Sequence, residues 1–194
     1  MKTQTSLILA SSSPRRRELL HTLGLTFTVQ TSDVDETTAP GMSPKEVVEE
    51  LAVRKAQTVA STCKEGVVLG SDTIVVLDDQ ILGKPVDEAD AFHMLSMLQG
   101  REHTVYSGVA LLDAATGRAE VAHSHTQVRI RSLSESEIKA YIATREPMDK
   151  AGSYAIQGIG ATIVEGITGD YFTVVGLPLC LTAKMLSRFG ITVL

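Results

Sequence analysis

A short apolar run, Leu7-Ile8-Leu9-Ala10, gives way to Ser11-Ser12-Ser13-Pro14-Arg15-Arg16-Arg17-Glu18-Leu19-Leu20, and this transition limits the possible architecture more than any other stretch. The run has the length and character of a buried strand, and Ser13 followed by Pro14 makes an N-cap with proline at the first helical position. A strand therefore feeds straight into a helix whose first turn carries three arginines. Cations at that end oppose the partial positive charge of the free amides, by roughly 0.3 to 1 kcal/mol per charge. A bound anion relieves the conflict, and free amides, a serine hydroxyl and a guanidinium fork suit phosphate. The alternative is a capped helix whose arginines reach into solvent. Three serines, the preceding strand and consecutive arginines favour phosphate.

Net charge decides what kind of anion. At −5 overall, the chain is unsuited to broad electrostatic binding of nucleic acid or an anionic membrane, so a local cluster must hold the ligand. Its 194 residues are enough for one domain or two lobes sharing a sheet, with an ample core; a single domain over 1–194 is expected. Residues 1–10 are too short and too weakly apolar for a signal peptide, and nothing approaches membrane-spanning length, which predicts a cytoplasmic protein. Cys63 and Cys180 lack CxxC spacing, predicting reduced, core-buried thiols and no zinc site.

Further along, Ser43-Pro44-Lys45-Glu46 is a capping box opening a helix with Val47, Val48, Leu51, Ala52, Ala56 and Val59 as its apolar stripe. Lys55 falls inside that stripe, which puts its ammonium at a core edge. Val67 to Leu77 and Gln80-Ile81-Leu82 form a strand and hairpin with Asp78-Asp79 at the turn. Asp72 interrupts two apolar runs, and burying it requires a cation, a metal or hydrogen-bond donors. Asp87 caps a helix through Phe92, Leu95 and Leu98 that Gly100 closes. Strands are expected near 103–112 and 118–130, joined by a turn at Ala115-Thr116-Gly117. Ser134 to Glu137 is a second capping box, followed by Ile138, Tyr141 and Ile142 as its stripe.

After Pro147 the chain is punctuated by glycine, Asp149-Lys150-Ala151-Gly152-Ser153-Tyr154-Ala155-Ile156-Gln157-Gly158-Ile159-Gly160. Such a stretch lets backbone approach a ligand closely or is a plain surface loop. Two more strands and a final helix begun at Pro178, carrying Leu181, Met185 and Phe189, complete a mixed-sheet α/β or α+β pattern. His103, His123 and His125 fall on strands, with the latter two on one side; solvated or structural roles are favoured over a metal pair.

The residues that break local rules are acids and bases: arginines at a helix start, Asp35 and Glu36 in a loop, Lys55, Asp72 and Lys84. No nucleophile elbow and no Gly-x-x-x-x-Gly-Lys-Ser/Thr occurs. Carboxylates can hold Mg²⁺ while substrate phosphates and water complete its shell, and lysines and arginines neutralise phosphate oxygens. A further carboxylate can deprotonate an attacking water, which amounts to metal-assisted hydrolysis of a phosphoanhydride.

Ser13-Pro14-Arg15-Arg16 with Glu18-Leu19-Leu20, Asp35-Glu36, Lys55-Ala56, Ser71-Asp72-Thr73, Gly83-Lys84-Pro85, Glu146-Pro147-Met148-Asp149-Lys150-Ala151-Gly152, Gln157-Gly158 and Val175-Gly176-Leu177-Pro178 together resemble the Maf family of nucleoside triphosphate pyrophosphatases. The resemblance runs nearly end to end, and the motifs are specific jointly rather than singly. It implies an elongated α/β fold like that of inosine triphosphate pyrophosphatases, with a long curved mixed sheet and a cleft between two lobes. It also implies cleavage between the α and β phosphates, dependent on Mg²⁺ or Mn²⁺, and a possible homodimer.

By the same resemblance Asp72 is the proton acceptor for water and, with Glu36, a metal ligand. Lys55 and Lys84 steady the phosphates, helped by Ser13 and Arg16, while Arg15, Thr73 and Gln157 match the branch acting on dTTP and UTP. The sister branch, acting on 7-methyl-GTP, has tryptophan, glutamine and glutamate at those three positions. Gln157 offers a donor and an acceptor to the imide edge of uracil or thymine, although an amide can read other bases. The family's association with inhibition of septum formation leaves a third possibility, a nucleotide-binding regulator.

Overall fold

The computed structural model describes residues 6–31 and 33–194; residues 1–5, part of the segment expected to lack a leader, lie outside them. Strand β1 (Leu7–Ala10) is buried at every position, as four consecutive apolar residues require of a strand covered on both faces. It pairs in parallel with β2 (Phe27–Val29), Leu7 facing Phe27, and with β3 (Val67–Leu77), Leu7 facing Val67 and Ala10 facing Gly70. Helix α1 (Pro14–Thr22) connects β1 to β2, and α2 (Pro44–Ala60) connects β2 to β3. The chain thus leaves β1 to one side and returns on the other, so the strand order reverses at β1.

Next come β4 (Gln80–Leu82), folded back antiparallel on β3, α3 (Glu88–Leu98), β5 (Glu102–Asp113), β6 (Ala119–Ile130) and α4 (Glu135–Ala143). Three 3-10 turns, Glu146–Asp149, Ala151–Ser153 and Gly158–Thr162, lead to β7 (Val164–Thr168), α5 (Tyr171–Val175) and α6 (Leu179–Arg188). The seven strands among the described residues form one mixed sheet in the order β2-β1-β3-β5-β6-β7, with β4 beside β3.

The chain divides into two compact units. The first holds the chain through Asp72, Ser107–Ser124 and Gly176–Leu194, with a core that includes Ile8, Ala52, Ala56, Val59, Val68 and Ala110. Here α2 lies unusually near the strands. A Cβ added at Gly70 would overlap the Ala52 carbonyl oxygen, and one at Gly108 the Val48 carbonyl oxygen. The second unit, Thr73–Tyr106 and His125–Val175, packs Leu95, Leu98, Val128, Ile130, Tyr141 and Ile142 among others.

Local signals place most elements. Both capping boxes form, Glu46 accepting from the Ser43 amide and Glu137 from the Ser134 amide at 2.8 Å each. Asp87 Oδ1 accepts from the Asp90 amide at 2.8 Å. Asp78 and Asp79 take φ of 49° and 64°, the double left-handed geometry of a tight hairpin turn.

Three expectations are corrected. Among the described residues a single strand, β7, lies between the glycine-punctuated stretch and the final helix, where two were expected; Tyr171–Val175, β-branched and aromatic in character, is helical. Asp170 is the reason, because its carboxylate accepts from both the Thr173 amide (2.7 Å) and hydroxyl (2.8 Å) and closes a first helical turn. The thiols are not core residues: Cys63 is half-buried, and Cys180 is exposed on the far side of α6 from Thr182, Met185 and Leu186. The final helix starts at Leu179 with Pro178 as its cap, and Phe189 packs just beyond its end. Among the described residues no helix is long and apolar enough to cross a membrane.

Candidate active site

The close seat of α2 on β3 builds the centre of the site. Alternate strand residues share a face, so Asp72, two beyond Gly70, points to the side on which Gly70 meets Ala52 and Ala56. Lys55, next to Ala56, meets it there. Lys55 Nζ donates to Asp72 Oδ1 at 2.6 Å and lies 2.7 Å from Glu36 Oε1. The Lys55 and Asp72 side chains are only 12% and 10% exposed, against 56% for Glu36. The buried carboxylate that interrupts β3 therefore has its cation, and the lysine in an apolar stripe has its partners; either alone would be costly.

Glu36 owes its place to the neighbouring Arg54, which sequence reasoning missed. Arg54 Nη1 donates to the carbonyls of Asp35 and Thr37 at 2.7 Å each, one on either side of Glu36, and its Nη2 pairs with Glu50. The Thr37 amide donates to Asp35 Oδ1 at 2.8 Å, and these bonds from Thr37, chiefly, hold the Asp35 carboxyl below its ordinary range. Two adjacent residues of α2 thus grip the same loop, Arg54 by its backbone and Lys55 by the Glu36 carboxylate.

Arg16 is fixed from another direction. Its Nε donates to the Gly176 carbonyl at 2.8 Å and its Nη1 to Ser11 Oγ at 3.3 Å, while the buried Ser71 hydroxyl donates to the same Gly176 carbonyl at 3.2 Å. The Arg16 amide reaches Ser13 Oγ at 3.5 Å, completing the expected cap. Part of the charge conflict at this helix start is therefore relieved by a main-chain carbonyl. Burial lowers the Arg16 pKa from its ordinary value; Asp72 and Glu36 oppose that effect, and Arg15 adds to it. Arg15 is half-buried on the same turn. Ser13, Arg16, Glu36, Lys55 and Asp72 are thus gathered within the first unit. They follow the carboxyl end of β1 and of its pairing with β3, where the strand order reverses, the usual position of ligand sites in open α/β sheets.

Thr73, Lys84 and Gln157 belong to the second unit. Thr73 is half-buried and follows Asp72 on β3; Lys84 is exposed after β4. The Gly152 amide donates to the Gly83 carbonyl at 3.0 Å, tying the Lys84 segment to the glycine-punctuated stretch. That stretch is a series of 3-10 turns rather than a plain loop. Gln157 is half-buried with extended backbone (φ −101°, ψ 170°) at the entry to the third turn. Glu146 organises it: Oε1 accepts from Tyr141 Oη (2.9 Å) and the Gly160 amide (2.8 Å), and Oε2 from the Ile159 amide (3.0 Å).

The histidines have structural partners. His103 Nε2 lies 2.6 Å from the buried Tyr154 hydroxyl, His123 Nδ1 2.7 Å from Glu49, and His125 stacks on Tyr106. Among the described residues no group of three or more His, Cys, Asp and Glu is arranged to hold a metal. The pair Asp72 and Glu36 remains, two carboxylates meeting at one ammonium. That donor set fits a hard divalent cation that completes its shell with water and phosphate.

The chain matches the family model for Maf-like protein over residues 6–189. It is 54% identical over 188 residues to a dTTP/UTP pyrophosphatase from Pelotomaculum thermopropionicum, covering 97% of this chain and 98% of that one. It is 50% identical over 187 residues to a dTTP/UTP pyrophosphatase from Desulforamulus reducens, covering 96% and 98%. A solved HAM1 protein from Coxiella burnetii shares the fold at a TM-score of 0.50 and 16% identity, over 83% of this chain and 81% of that one. With the motifs of its first turn, of β3 and of the Gln157 stretch all inside the matched span, this chain belongs to the Maf family.

Proposed function

We propose that the chain hydrolyses dTTP and UTP to the nucleoside monophosphate and pyrophosphate. The observation that carries the chemistry is the ammonium of Lys55 shared by Asp72 and Glu36 beside the Arg16 turn; relatives at about half identity named dTTP/UTP pyrophosphatase support the choice of base. Asp72 accepts a proton from the attacking water. The water oxygen bonds to the α-phosphorus, and the bond from that phosphorus to the oxygen bridging to the β-phosphate breaks, so pyrophosphate leaves. Asp72 and Glu36 would hold Mg²⁺ or Mn²⁺, which when bound neutralises phosphate charge and acidifies water.

Lys55 and Lys84 offset charge on the phosphate oxygens, and Ser13 and Arg16 orient them at the start of α1. Arg15, Thr73 and Gln157 contact the nucleoside, Gln157 offering an amide to the imide edge of the base. Pyrophosphate release from dTTP, UTP, CTP, GTP and 7-methyl-GTP, with and without Mg²⁺ or Mn²⁺, tests this. Metal-dependent release from dTTP and UTP is expected, reduced about 10² to 10⁴-fold by Asp72→Asn, the usual range for a lost general base. A preference for 7-methyl-GTP would reassign the branch. Silence on all five would leave a binding protein.

A further inference from the structure

We propose that Glu146 is the positioning residue for base discrimination, its carboxylate and the Tyr141 hydroxyl together setting the backbone that presents Gln157. This rests on Gln157 contacting the base.

Both carboxylate oxygens are committed to the turn after Gln157, Oε1 to the Gly160 amide and Oε2 to the Ile159 amide, and Oε1 also accepts from Tyr141 Oη. On the other side of Gln157, the Ala155 amide donates to Tyr141 Oη at 3.1 Å. Gln157 is therefore flanked, at two residues before and two and three residues after, by main-chain amides bound to one two-residue device. Glycine is needed for the device to close. A Cβ on Gly158 would overlap Glu146 Oε2, and its φ of +63° disfavours other residues; a Cβ on Gly160 would collide with the Ala155 carbonyl and crowd the Tyr141 hydroxyl.

Burial by itself would raise the Glu146 carboxyl, but the Gly160 and Ile159 amides, the Tyr141 hydroxyl and the Lys150 charge outweigh it and lower it. Glu146 is thus an anion whose hydrogen bonds go to two main-chain amides and the Tyr141 hydroxyl. A long amide side chain on a loose backbone could turn over and serve bases with reversed donors and acceptors; a fixed backbone narrows its poses.

The test compares wild type, Glu146→Gln, Tyr141→Phe and Gln157→Ala. Glu146→Gln is close to isosteric but turns an NH₂ toward at least one main-chain N–H. Two quantities are read: the ratio of kcat/KM for UTP over CTP, and hydrogen–deuterium exchange of the 155–160 amides. Glu146→Gln should lower the ratio about tenfold, acting on KM more than on kcat, and speed exchange at Ile159 and Gly160. Tyr141→Phe should do the same to a smaller extent at Ala155, and carries the test if Glu146→Gln does not fold. Gln157→Ala should lower the ratio without speeding exchange.

Faster exchange in Glu146→Gln with an unchanged ratio, while Gln157→Ala lowers it, would overturn the positioning role alone. Unchanged exchange and ratio would overturn it too. An unchanged ratio in Gln157→Ala would overturn the base contact itself, and the positioning role with it. No pyrophosphate release by wild type from UTP would instead strike at the proposed reaction.

Discussion

Around Asp72 the defining contacts join side chains to one another: Lys55 to Asp72 and Glu36. Around Gln157 they join side chains to main chain, the Glu146 carboxylate and Tyr141 hydroxyl taking the amides of Ala155, Ile159 and Gly160. The first region rests on a helix and a strand, the second on short 3-10 turns. Charges meant to act on a reaction gain from a stiff frame, since their effect depends on distance, and a helix seated on a strand through Gly70 supplies one. A surface meant to fit a ligand's outline needs backbone that can be bent to shape, and glycine-rich turns allow it. Under the proposed function the two regions divide charge from outline.

Lysine substitutions break this comparison most sharply. Lys55→Ala should reduce pyrophosphate release about 10² to 10³-fold and also lower the melting temperature, because the mostly buried Asp72 loses its 2.6 Å partner. Lys84→Ala, at an exposed position, should reduce release with the melting temperature unchanged. Equal melting shifts for both, or normal rates for either, would contradict the assignments.

Glycine substitutions come next. Gly70→Ala should cost about 1 to 3 kcal/mol in urea unfolding, since the overpacked neighbour is the α2 backbone, and should slow turnover for every nucleotide alike. Gly158→Ala should also cost stability, because its φ of +63° disfavours a side chain and the obstacle is the bound Glu146 carboxylate, but it should change the ranking of nucleotides rather than the overall rate.

The mildest probe is acid. Burial lowers the His103 pKa from 6.5 to about 4, so the unfolded chain binds a proton that the native state refuses between those values. Stability therefore falls as pH drops from about 6.5 toward 4, by at most about 1.4 kcal/mol per pH unit from this group. Urea midpoints at pH 7 and pH 5 should differ less in His103→Gln than in wild type; an equal difference would place the acid sensitivity elsewhere.

What could be read in advance follows from where each partner's identity is written. Caps, capping boxes and the Asp78-Asp79 turn are local and were legible. Lys55 and Asp72 were legible as anomalies because each breaks the pattern of its own element, and their pairing explains both. Strand β2, three residues with a largely exposed pattern, gave no signal, and Asp170 overrode the strand propensity of Tyr171–Val175. Arg54 and Glu146 were visible as residues but not as devices, because their partners are carbonyls and amides that every residue carries. The same holds for Arg16 at the Gly176 carbonyl.

That last contact spans 160 residues of chain. On a ribosome adding roughly 5 to 20 residues per second, some 8 to 32 s separate the emergence of the arginine turn from that of its acceptor. Through that interval a nascent chain cannot set the Arg16 fork in its final pose. The arginine fork at the start of α1 is thereby completed only near the end of synthesis, and a chain stopped before Gly176 lacks its acceptor.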